Sequence, residues 1–293
     1  MQAFVKIADE GGFAAAARSL GISPPAVTRL VAMLEDHVGT RLLVRTTRTV
    51  RPTESGARFL EDCRRILLEL EEAEESAAGS HAAPRGTLHV TAPAMFGMMY
   101  VGPALGEFLD TYPLLNARTM FADRIVNLAD EGLDVAVRIG ELPDSSLIAV
   151  RVGEVRRVVF ASPGYIARYG RPESPGDLGQ HRIVHSLAVR PSPEWEFQID
   201  GKTNLVRVHA RLQMNTNDAV IDLVRRDWGI SRLLSYQIGP DLAAGLLEPL
   251  LQAYEMPAMP IHVVHQEGRL ASAKVRAFVD WMVDRLRAHP HLQ

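Results

Sequence analysis

The feature that most constrains this chain is residues 13–39, FAAAARSLGISPPAVTRLVAMLEDHVG, which predict two short helices joined by a tight turn. Four consecutive alanines dominate the first helix and let a neighbouring helix approach closely. Gly21 supplies the left-handed backbone that ends it. Ser23 stands at a capping position and Pro24 suits the first helical position, so the second helix has a defined start. This pattern indicates a DNA-reading helix-turn-helix.

The second helix has two contrasting faces at 3.6 residues per turn. The stripe predicted to be buried contains Val27, Leu30, Val31, Leu34 and Val38. The outward face is small, hydroxylic and basic, with Pro25, Thr28, Arg29 and Ala32. Short side chains let a helix enter the major groove, where Thr and Arg can reach bases or phosphates. An ordinary surface helix is the alternative, but cap, turn and face agree with each other. The DNA contacts predicted from this helix are Ser23, Pro25, Ala26, Thr28 and Arg29.

Residues 41–53, RLLVRTTRTVRPT, alternate like a short hairpin and are interpreted as a wing. Its basic and hydroxyl side chains are predicted to contact phosphates or a minor groove; they are Arg45, Thr46, Thr47, Arg48 and Arg51. A solvated basic turn is the alternative. Charge favours the wing, because residues 1–58 hold eight Lys and Arg against five Asp and Glu while the whole chain carries −3.

A third helix is predicted over residues 59–79, with Thr53 as a candidate cap. Apolar residues recur at alternating spacings of four and three, which is typical of a coiled-coil seam. They are Phe59, Cys63, Ile66, Leu70, Ala73 and Ala77. Packing on the chain's own surface is the alternative, and pairing of two chains is favoured because the polar stretch GSHAAPRG offers no apolar partner. A dimer would present two reading helices to a symmetric site. Cys63 is expected to be a small buried hydrophobe on that seam.

From residue 87 onward strands and helices alternate, which predicts a parallel α/β sheet. With 293 residues and 47% hydrophobic content, two or more domains are expected. Strands are predicted at 87–91, 117–121, 133–139, 147–152, 157–161, 229–233 and 261–265, with a hairpin of 195–199 and 205–210 about Asp200-Gly201. Helices are predicted at 96–112, 125–131, near Tyr165, at 217–226 and at 273–287.

At this point the chain resembles a LysR-type transcriptional regulator from end to end. The resemblance rests on Phe4, Ala16, Ala17, Leu20, Ser23, Pro25, Ala26, Val27, Thr28, Leu34, Glu35, Gly39, Leu42, Leu43, Arg45, Thr53 and Gly56. Pro24 departs from it, because many members have Gln there, and this removes a base-reading amide.

The resemblance implies a winged helix-turn-helix (1–58), a dimerising linker helix (59–79) and an α/β effector-binding domain of periplasmic-binding-protein type (87–293). Subdomain I would comprise 87–160 and 267–293, and subdomain II would comprise 161–266. The chain would then cross between subdomains near Phe160 and His265.

The resemblance also implies an effector cleft between the subdomains, and ligands of open α/β sheets lie beyond the carboxyl ends of strands. The residues predicted there are Pro93, Ala94, Phe96, Asp123, Arg138, Gly140 and Asn217. Backbone N–H groups of 91–96 could hold an anion, with Arg138 as charge partner. Each has a structural alternative: Pro93 and Gly140 as turns, Asn217 as a cap, and Arg138 paired with Asp134 or Glu141.

Two rival functions are an enzyme on a solute-binding-like fold and a stand-alone solute-binding protein. The sequence carries no GxSxG, GxGxxG, P-loop or HExxH motif, and no cofactor or metal site is predicted. His262 and His265 should point to opposite faces of a strand. His181 and His185 would share a face only if their stretch is a strand, and His289 and His291 fall in a tail expected to fray.

The N-terminal residues MQAFVKIADEGG predict an amphipathic helix rather than a signal peptide, and no apolar run reaches 18 residues. A soluble, cytoplasmic protein without membrane contact is therefore expected. Its expected partners are a double-stranded DNA operator, a small-molecule effector and further copies of itself, as a dimer and by resemblance a tetramer. The resemblance admits RNA polymerase as another partner.

Overall fold

The computed structural model of the chain describes residues 1–45, 50–77, 83–124, 126–142, 147–188, 193–266 and 272–292, with the backbone alone at 45, 65, 68, 69 and 71–77. The chain divides into two compact units, Met1–Ala82 and Ala83–Gln293. Each unit has its own hydrophobic core.

The first unit contains α1 (Gln2–Glu10), α2 (Phe13–Leu20), α3 (Pro24–Val38), β1 (Leu43–Arg45), β2 (Val50–Pro52) and α4 (Glu54–Ala77). The predicted bounds of α2 and α3 are confirmed: Gly21 and Gly39 end them with φ of 66° and 74°, in the left-handed region. Ala16 and Ala17 are buried beside Phe4 and Ile7 of α1, so the alanine-rich face does allow close packing.

Within the part of the chain that the structure describes, the larger sheet of the second unit has five strands in the order β4-β3-β5-β14-β6. Their bounds are β3 (Gly86–Ala92), β4 (Leu115–Phe121), β5 (Val135–Ile139), β6 (Leu147–Val155) and β14 (Met259–Gln266). β3 is parallel to β4 and β5, but β14 is antiparallel to both β5 and β6. The prediction of a parallel sheet is corrected to a mixed one, because strand alternation along the sequence does not fix the direction of a returning strand.

Helices cover one face of this sheet. Their bounds are α5 (Ala94–Phe96), a π-helical turn (Gly97–Val101), α6 (Gly102–Thr111) and α10 (Ala273–Arg287). Trp281 Nε1 of α10 donates to the carbonyl oxygen of Ala104 in α6 at 3.1 Å. A Cβ at Gly97 would lie 2.3 Å from the ring of Phe121, so only glycine lets β4 and this helix approach as they do.

A buried ion pair lies at the other end of the sheet from α5. Lys274 Nζ is 3.9 Å from Asp134 Oδ2, and both side chains are at most 1% exposed. Lys274 also donates to the carbonyl oxygen of Thr87 at 2.8 Å, and Asp134 accepts the backbone N–H of His89 at 2.8 Å. The pair therefore joins the start of β3 to β5 and α10. Asp134 is occupied by Lys274, not by Arg138.

Among its described residues, the smaller subdomain has three short sheets. Their strands are β7 (Arg157–Ala161), β8 (Ile183–Ser186), β9 (Glu194–Ile199), β10 (Lys202–Arg207), β11 (Ala210–Met214), β12 (Ser231–Leu234) and β13 (Glu248–Leu250). Its helices are α7 (Pro163–Tyr169), α8 (Asn217–Arg225) and α9 (Ser235–Ala243). The predicted hairpin is confirmed as β9–β10, with positive φ at Asp200 (51°) and Gly201 (73°). Its second strand is Lys202–Arg207 rather than 205–210.

The two crossings between subdomains differ from the predicted positions. β6 belongs to the larger sheet and β7 to the smaller subdomain, so the first crossing is at Arg156 and not at Phe160. β14 also belongs to the larger sheet, so the second crossing lies within 255–258 and not at His265. β6 and β7 were predicted as separate strands, but the sequence does not show that they pair with different sheets, β6 with β14 and β7 with β12 and β13. An ion pair of Arg156 with Glu255, at 3.3 Å, links the two crossings.

The prediction of a helix over 125–131 is wrong. Turns occupy 128–132, and Ile125 lies outside the described residues. The side-chain oxygen of Asn127 accepts the N–H of Ala129 at 3.0 Å, a local bond that competes with helix formation. Helix α9 was not predicted because it contains Gly239 and Pro240.

Among the described residues, no helix is both long enough and apolar enough to span a membrane.

Candidate functional site

Helix α3 presents a polar outward face. Val27 and Val31 are fully buried, whereas Pro25 and Arg29 are exposed and Thr28 is half-buried. The Thr28 hydroxyl donates to the carbonyl oxygen of Pro24 at 3.1 Å, so its oxygen still has a lone pair for an outside donor. The outward arrangement agrees with the predicted reading face.

Two details of α3 differ from the prediction. Leu30 and Val38 were placed on the buried stripe but are 46% and 37% exposed, because Leu30 lies at the edge of that stripe and Val38 is the last residue of the helix. Ser23 occupies the N-cap position with extended backbone (φ −73°, ψ 150°), but its side chain makes no capping hydrogen bond.

The wing follows directly from α3. β1 and β2 form an antiparallel pair that aligns Arg45 with Val50, which confirms the predicted hairpin. Glu35, for which no role was predicted, accepts the N–H groups of Leu42 (2.8 Å) and Leu43 (3.1 Å) and so fixes the wing to the reading helix. Arg51 is exposed. The Arg45 side chain and Thr46, Thr47 and Arg48 lie outside the described residues.

Helix α4 begins at Glu54, earlier than predicted. Thr53 caps it as expected: the Thr53 hydroxyl accepts the N–H of Gly56 at 2.8 Å and donates to the carbonyl oxygen of Arg41 at 2.8 Å. Gly56 is buried, and a Cβ there would lie 2.0 Å from the carbonyl oxygen of Leu42. This close approach explains why residue 56 is a glycine.

The predicted seam on α4 is corrected in its first half. Cys63 is fully buried in the first unit's core, where burial raises the pKa of its thiol, and Phe59 packs there with its ring 6.1 Å from that of Phe4. Helix α1 supplies the apolar partner that the polar stretch GSHAAPRG does not offer. Ile66 and Leu70 are 39% and 49% exposed and remain available to a second chain. The side chains of Ala73 and Ala77 lie outside the described part.

In the second unit, residues from both subdomains meet beyond β3. Met95 packs against the cores of both subdomains, next to the half-buried Pro93 and Ala94. The Ala94 N–H donates to Asp123 Oδ1 at 3.0 Å. That backbone donor of residues 91–96 is therefore already used inside the protein, and an anion would compete with the Asp123 carboxylate for it.

Phe96 is corrected from a cleft residue to a core residue. It is fully buried, with ring centroids 4.8 Å from Tyr100 and 5.2 Å from Tyr236. Tyr236 lies at the start of α9, and burial, with the nearby Asp123 charge, raises the pKa of its hydroxyl well above its usual range. This aromatic cluster joins the two subdomains beneath the site.

Arg138 is turned away from this junction. Directly paired residues of a sheet share a face, and Arg138 pairs with His262 on the face opposite the helices. Its Nη2 donates to the carbonyl oxygen of Val126 at 2.5 Å, and burial lowers the pKa of the guanidinium. The prediction that Arg138 is the effector's charge partner is therefore not supported by its contacts. Gly140, with φ of 105°, makes the turn after β5.

Asn217, at the first position of α8, is 6% exposed, and its Oδ1 accepts the Ser186 hydroxyl at 2.6 Å. Ser186 ends β8, and sequence reasoning missed it because no strand was predicted between the helix near Tyr165 and the hairpin that starts at residue 195. The bond fixes the Asn217 amide with its NH2 group as a donor. Thr216 makes no side-chain cap on α8, so amides of the first turn also remain as donors.

The histidines are scattered. His262 and His265 point to opposite faces of β14, as alternation predicts. His181 precedes β8 and contacts the Tyr165 hydroxyl, whereas His185 accepts from Trp195 Nε1 at 3.4 Å, so the two do not form a pair. His289 was expected in a frayed tail, but its ring packs on Tyr100 at 4.8 Å and the following Leu292 is fully buried.

Comparison with known proteins agrees with this architecture. Residues 1–57 match the family described as "Bacterial regulatory helix-turn-helix protein, lysR family", and residues 81–287 match "LysR substrate binding domain". An HTH-type transcriptional regulator of Xanthomonas campestris is 37% identical over 290 residues, covering 97% of this chain and 83% of the relative. An HTH-type transcriptional repressor of Pseudomonas aeruginosa is 32% identical over 295 residues, covering 100% and 93%.

Solved structures with the same organisation include CrgA, a LysR-type transcriptional regulator from Neisseria meningitidis, with a TM-score of 0.64, 29% identity and coverage of 97% of each chain. Full-length AphB, a virulence activator of Vibrio cholerae, has a TM-score of 0.65, 25% identity and coverage of 96% of this chain and 97% of AphB.

A winged helix-turn-helix joined to a two-subdomain α/β module defines a DNA-binding transcription regulator with a domain for a small-molecule effector. This chain belongs to the LysR family of such regulators. The enzyme and the stand-alone solute-binding protein are set aside, because the relatives named above are transcription regulators.

Proposed function

We propose that α3 reads an operator through Ser23, Pro25, Ala26, Thr28 and Arg29, while Arg45, Thr46, Thr47, Arg48 and Arg51 of the wing contact the DNA backbone. The observation that carries this proposal is the exposure of Arg29 on the side of α3 opposite Val27 and Val31. A guanidinium there can bond a guanine edge with two hydrogen bonds. An operator-binding regulator works where the chromosome is, so the proposal places the protein in the cytoplasm and makes RNA polymerase a further partner.

The test is a gel shift of wild type and Arg29→Ala on the DNA next to the protein's own gene and on random DNA, at two salt concentrations. If Arg29 bonds a base, the variant loses about 1–3 kcal/mol on the operator alone. Arg58→Ala is the matched control, because Arg58 is an exposed arginine of the same unit that pairs with Glu54. Equal losses on both duplexes would make Arg29 a phosphate contact. Absence of any duplex binding by wild type would refute the proposal.

The proposed dimer pairs two α4 helices through the exposed Ile66 and Leu70, continuing toward Ala73 and Ala77. By family resemblance two dimers join into a tetramer. Leu70→Lys should shift the sedimentation profile toward smaller species, whereas Leu114→Lys, at a 66% exposed leucine of the other unit, should not. An unchanged profile for Leu70→Lys would contradict this pairing.

The proposed effector lies between the subdomains and is anionic, with Asn217 and the first turn of α8 as its donors and with Pro93, Ala94, Asp123 and Gly140 on the opposite side. What supports an anion is the amide of Asn217, oriented by Ser186, at a helix N-terminus without a side-chain cap. A ligand that prefers one arrangement of the subdomains would shift the placement of the reading helices.

The test is a thermal-shift screen of the full chain with small acids and their neutral amides, read by tryptophan fluorescence. All three tryptophans lie in the second unit, at 195, 228 and 281. A selective acid should raise the melting temperature in wild type but not in Asn217→Ala. An acid that stabilises both equally would place the effector elsewhere.

A further inference from the structure

Helix α3 carries a third face, of which the DNA-binding proposal uses only Ala26. Ala26, Leu30 and Met33 follow at spacings of four and three, so they lie on one line along the helix. Leu30 is 46% and Met33 60% exposed, and Ala26 is half-buried. We name this line the apolar ridge. It carries no charge and lies beside Arg29, which is four residues before Met33 and hence its surface neighbour.

The position of the ridge limits what can cover it. An α-helix with side chains is about 10–12 Å across and the major groove about 12 Å wide, so a helix lying in the groove has both flanks against the groove walls. One flank of α3 carries Thr28, which can meet a phosphate. The ridge is the other flank and can bond no phosphate. The apolar group that the base edges present in the major groove is the 5-methyl group of thymine.

We propose that the apolar ridge contacts thymine methyl groups, and that Leu30 and Met33 are specificity-determining residues that favour thymines on one side of each half-site. This inference rests on the proposed placement of α3 in the groove. A second copy of the chain is the competing occupant. Exposed apolar side chains already proposed for pairing, Ile66 and Leu70, lie on another element, α4, whereas the ridge is continuous with the outward face of α3.

The experiment uses a duplex that the wild-type protein itself selects from a random pool, prepared once with thymine and once with deoxyuridine in its place. This exchange removes the methyl groups and keeps every hydrogen-bonding group. Dissociation constants are measured for wild type, for Leu30→Ala/Met33→Ala, and for the control Leu114→Ala. Burial of one methyl-sized group contributes about fourfold in affinity. Wild type and the control should therefore bind the deoxyuridine duplex at least about fourfold more weakly.

In the double variant the two duplexes should bind nearly equally, because the partner of the methyl groups is gone. The same ratio in wild type and double variant would overturn the proposal, since it would then reflect a change in the DNA itself. The conservative pair Leu30→Met/Met33→Leu should keep the wild-type ratio, and far-ultraviolet circular dichroism checks that all variants are folded.

The outcomes separate the two proposals. If wild type selects no duplex, the DNA-reading proposal fails. If it selects one and does not distinguish thymine from deoxyuridine, only the ridge assignment fails. Should the double variant lose self-association in sedimentation while keeping the methyl ratio, the ridge is a protein interface and the thymine assignment is refuted.

Discussion

Gly56→Ala tests how closely helix α4 packs against the winged helix-turn-helix. The new Cβ would lie 2.0 Å from the carbonyl oxygen of Leu42 and 2.9 Å from its carbonyl carbon. Because the obstacle is backbone, it cannot rotate away, and the first turn of α4 must move from residues 41–42 by about 1 Å or more. That shift breaks two bonds: Thr53 Oγ1 to the Arg41 oxygen at 2.8 Å, and Thr53 N to the Leu42 oxygen at 2.9 Å.

The magnitude follows from three contributions. Two lost hydrogen bonds cost about 1 kcal/mol each, and overpacking against backbone costs about 1–3 kcal/mol. Alanine is better than glycine in a helix by about 1 kcal/mol. The net expectation is a loss of about 2–4 kcal/mol in the free energy of unfolding of the first unit.

The assay is urea denaturation followed by two signals. Helix loss at 222 nm reports both units, whereas tryptophan fluorescence reports the second unit alone, because all three tryptophans lie there. Gly56→Ala should move the circular-dichroism transition to lower urea and leave the fluorescence transition in place. The control is Gly106→Ala in α6, where an added Cβ meets nothing within 4 Å, so a gain of up to about 1 kcal/mol is expected in the fluorescence transition. A Gly56→Ala protein as stable as wild type would refute the close-approach argument.

Three further perturbations test the structure. Lys274→Met leaves the buried Asp134 carboxylate without its ion-pair partner and should destabilise the second unit by about 3–5 kcal/mol, measured by urea titration of tryptophan fluorescence; a loss below about 1 kcal/mol would contradict the buried pair. Glu35→Ala leaves two wing amides without their acceptor; it should lower the free energy of unfolding of the first unit by about 2 kcal/mol and weaken DNA binding in gel shifts. Glu35→Gln keeps an acceptor oxygen and should lower both stability and DNA binding less. Burial lowers the pKa of the imidazoles of His181, His262 and His289 below the value in the unfolded chain. Their contribution to the stability of the second unit is therefore full above about pH 6.5 and falls as the pH drops from there through the folded pKa values. A fluorescence melting temperature that rises between pH 7 and 5.5 would contradict this.

The sequence predicted those parts of the fold that local chemistry decides. Gly21 and Gly39 end α2 and α3 where left-handed backbone is needed, and the Asp200-Gly201 turn fixes its hairpin, because each effect operates within a few residues. The outward position of Arg29 follows from helical periodicity alone.

Errors arose where distant residues decide. Phe59 and Cys63 fit a coiled-coil spacing, but α1 covers them, and no spacing rule reveals which surface reaches an apolar stripe first. Likewise Arg138 was placed at the carboxyl end of a strand correctly, while the face it occupies depends on its pairing with β14. Ser186 was missed because its role depends on a bond to Asn217, 31 residues away.

The burial of Phe59 and Cys63 has a mechanical consequence for regulation. Over its first three turns α4 is part of the core of the winged helix-turn-helix. An ion pair of Arg64 with Asp9 of α1, at 2.5 Å, is a further contact between α4 and this domain. The remaining turns of this 24-residue helix extend beyond it, and a helix of that length spans about 36 Å. A displacement of the far end of α4 that leaves the helix straight is therefore transmitted to α3 as a rigid rotation, because residues 59–63 of α4 and Val27 and Val31 of α3 belong to one core. Under the proposed dimer, a small change in how two α4 helices pair at Ile66 and Leu70 would alter the spacing of the two reading helices. The regulatory signal thus needs no rearrangement inside the winged domain itself.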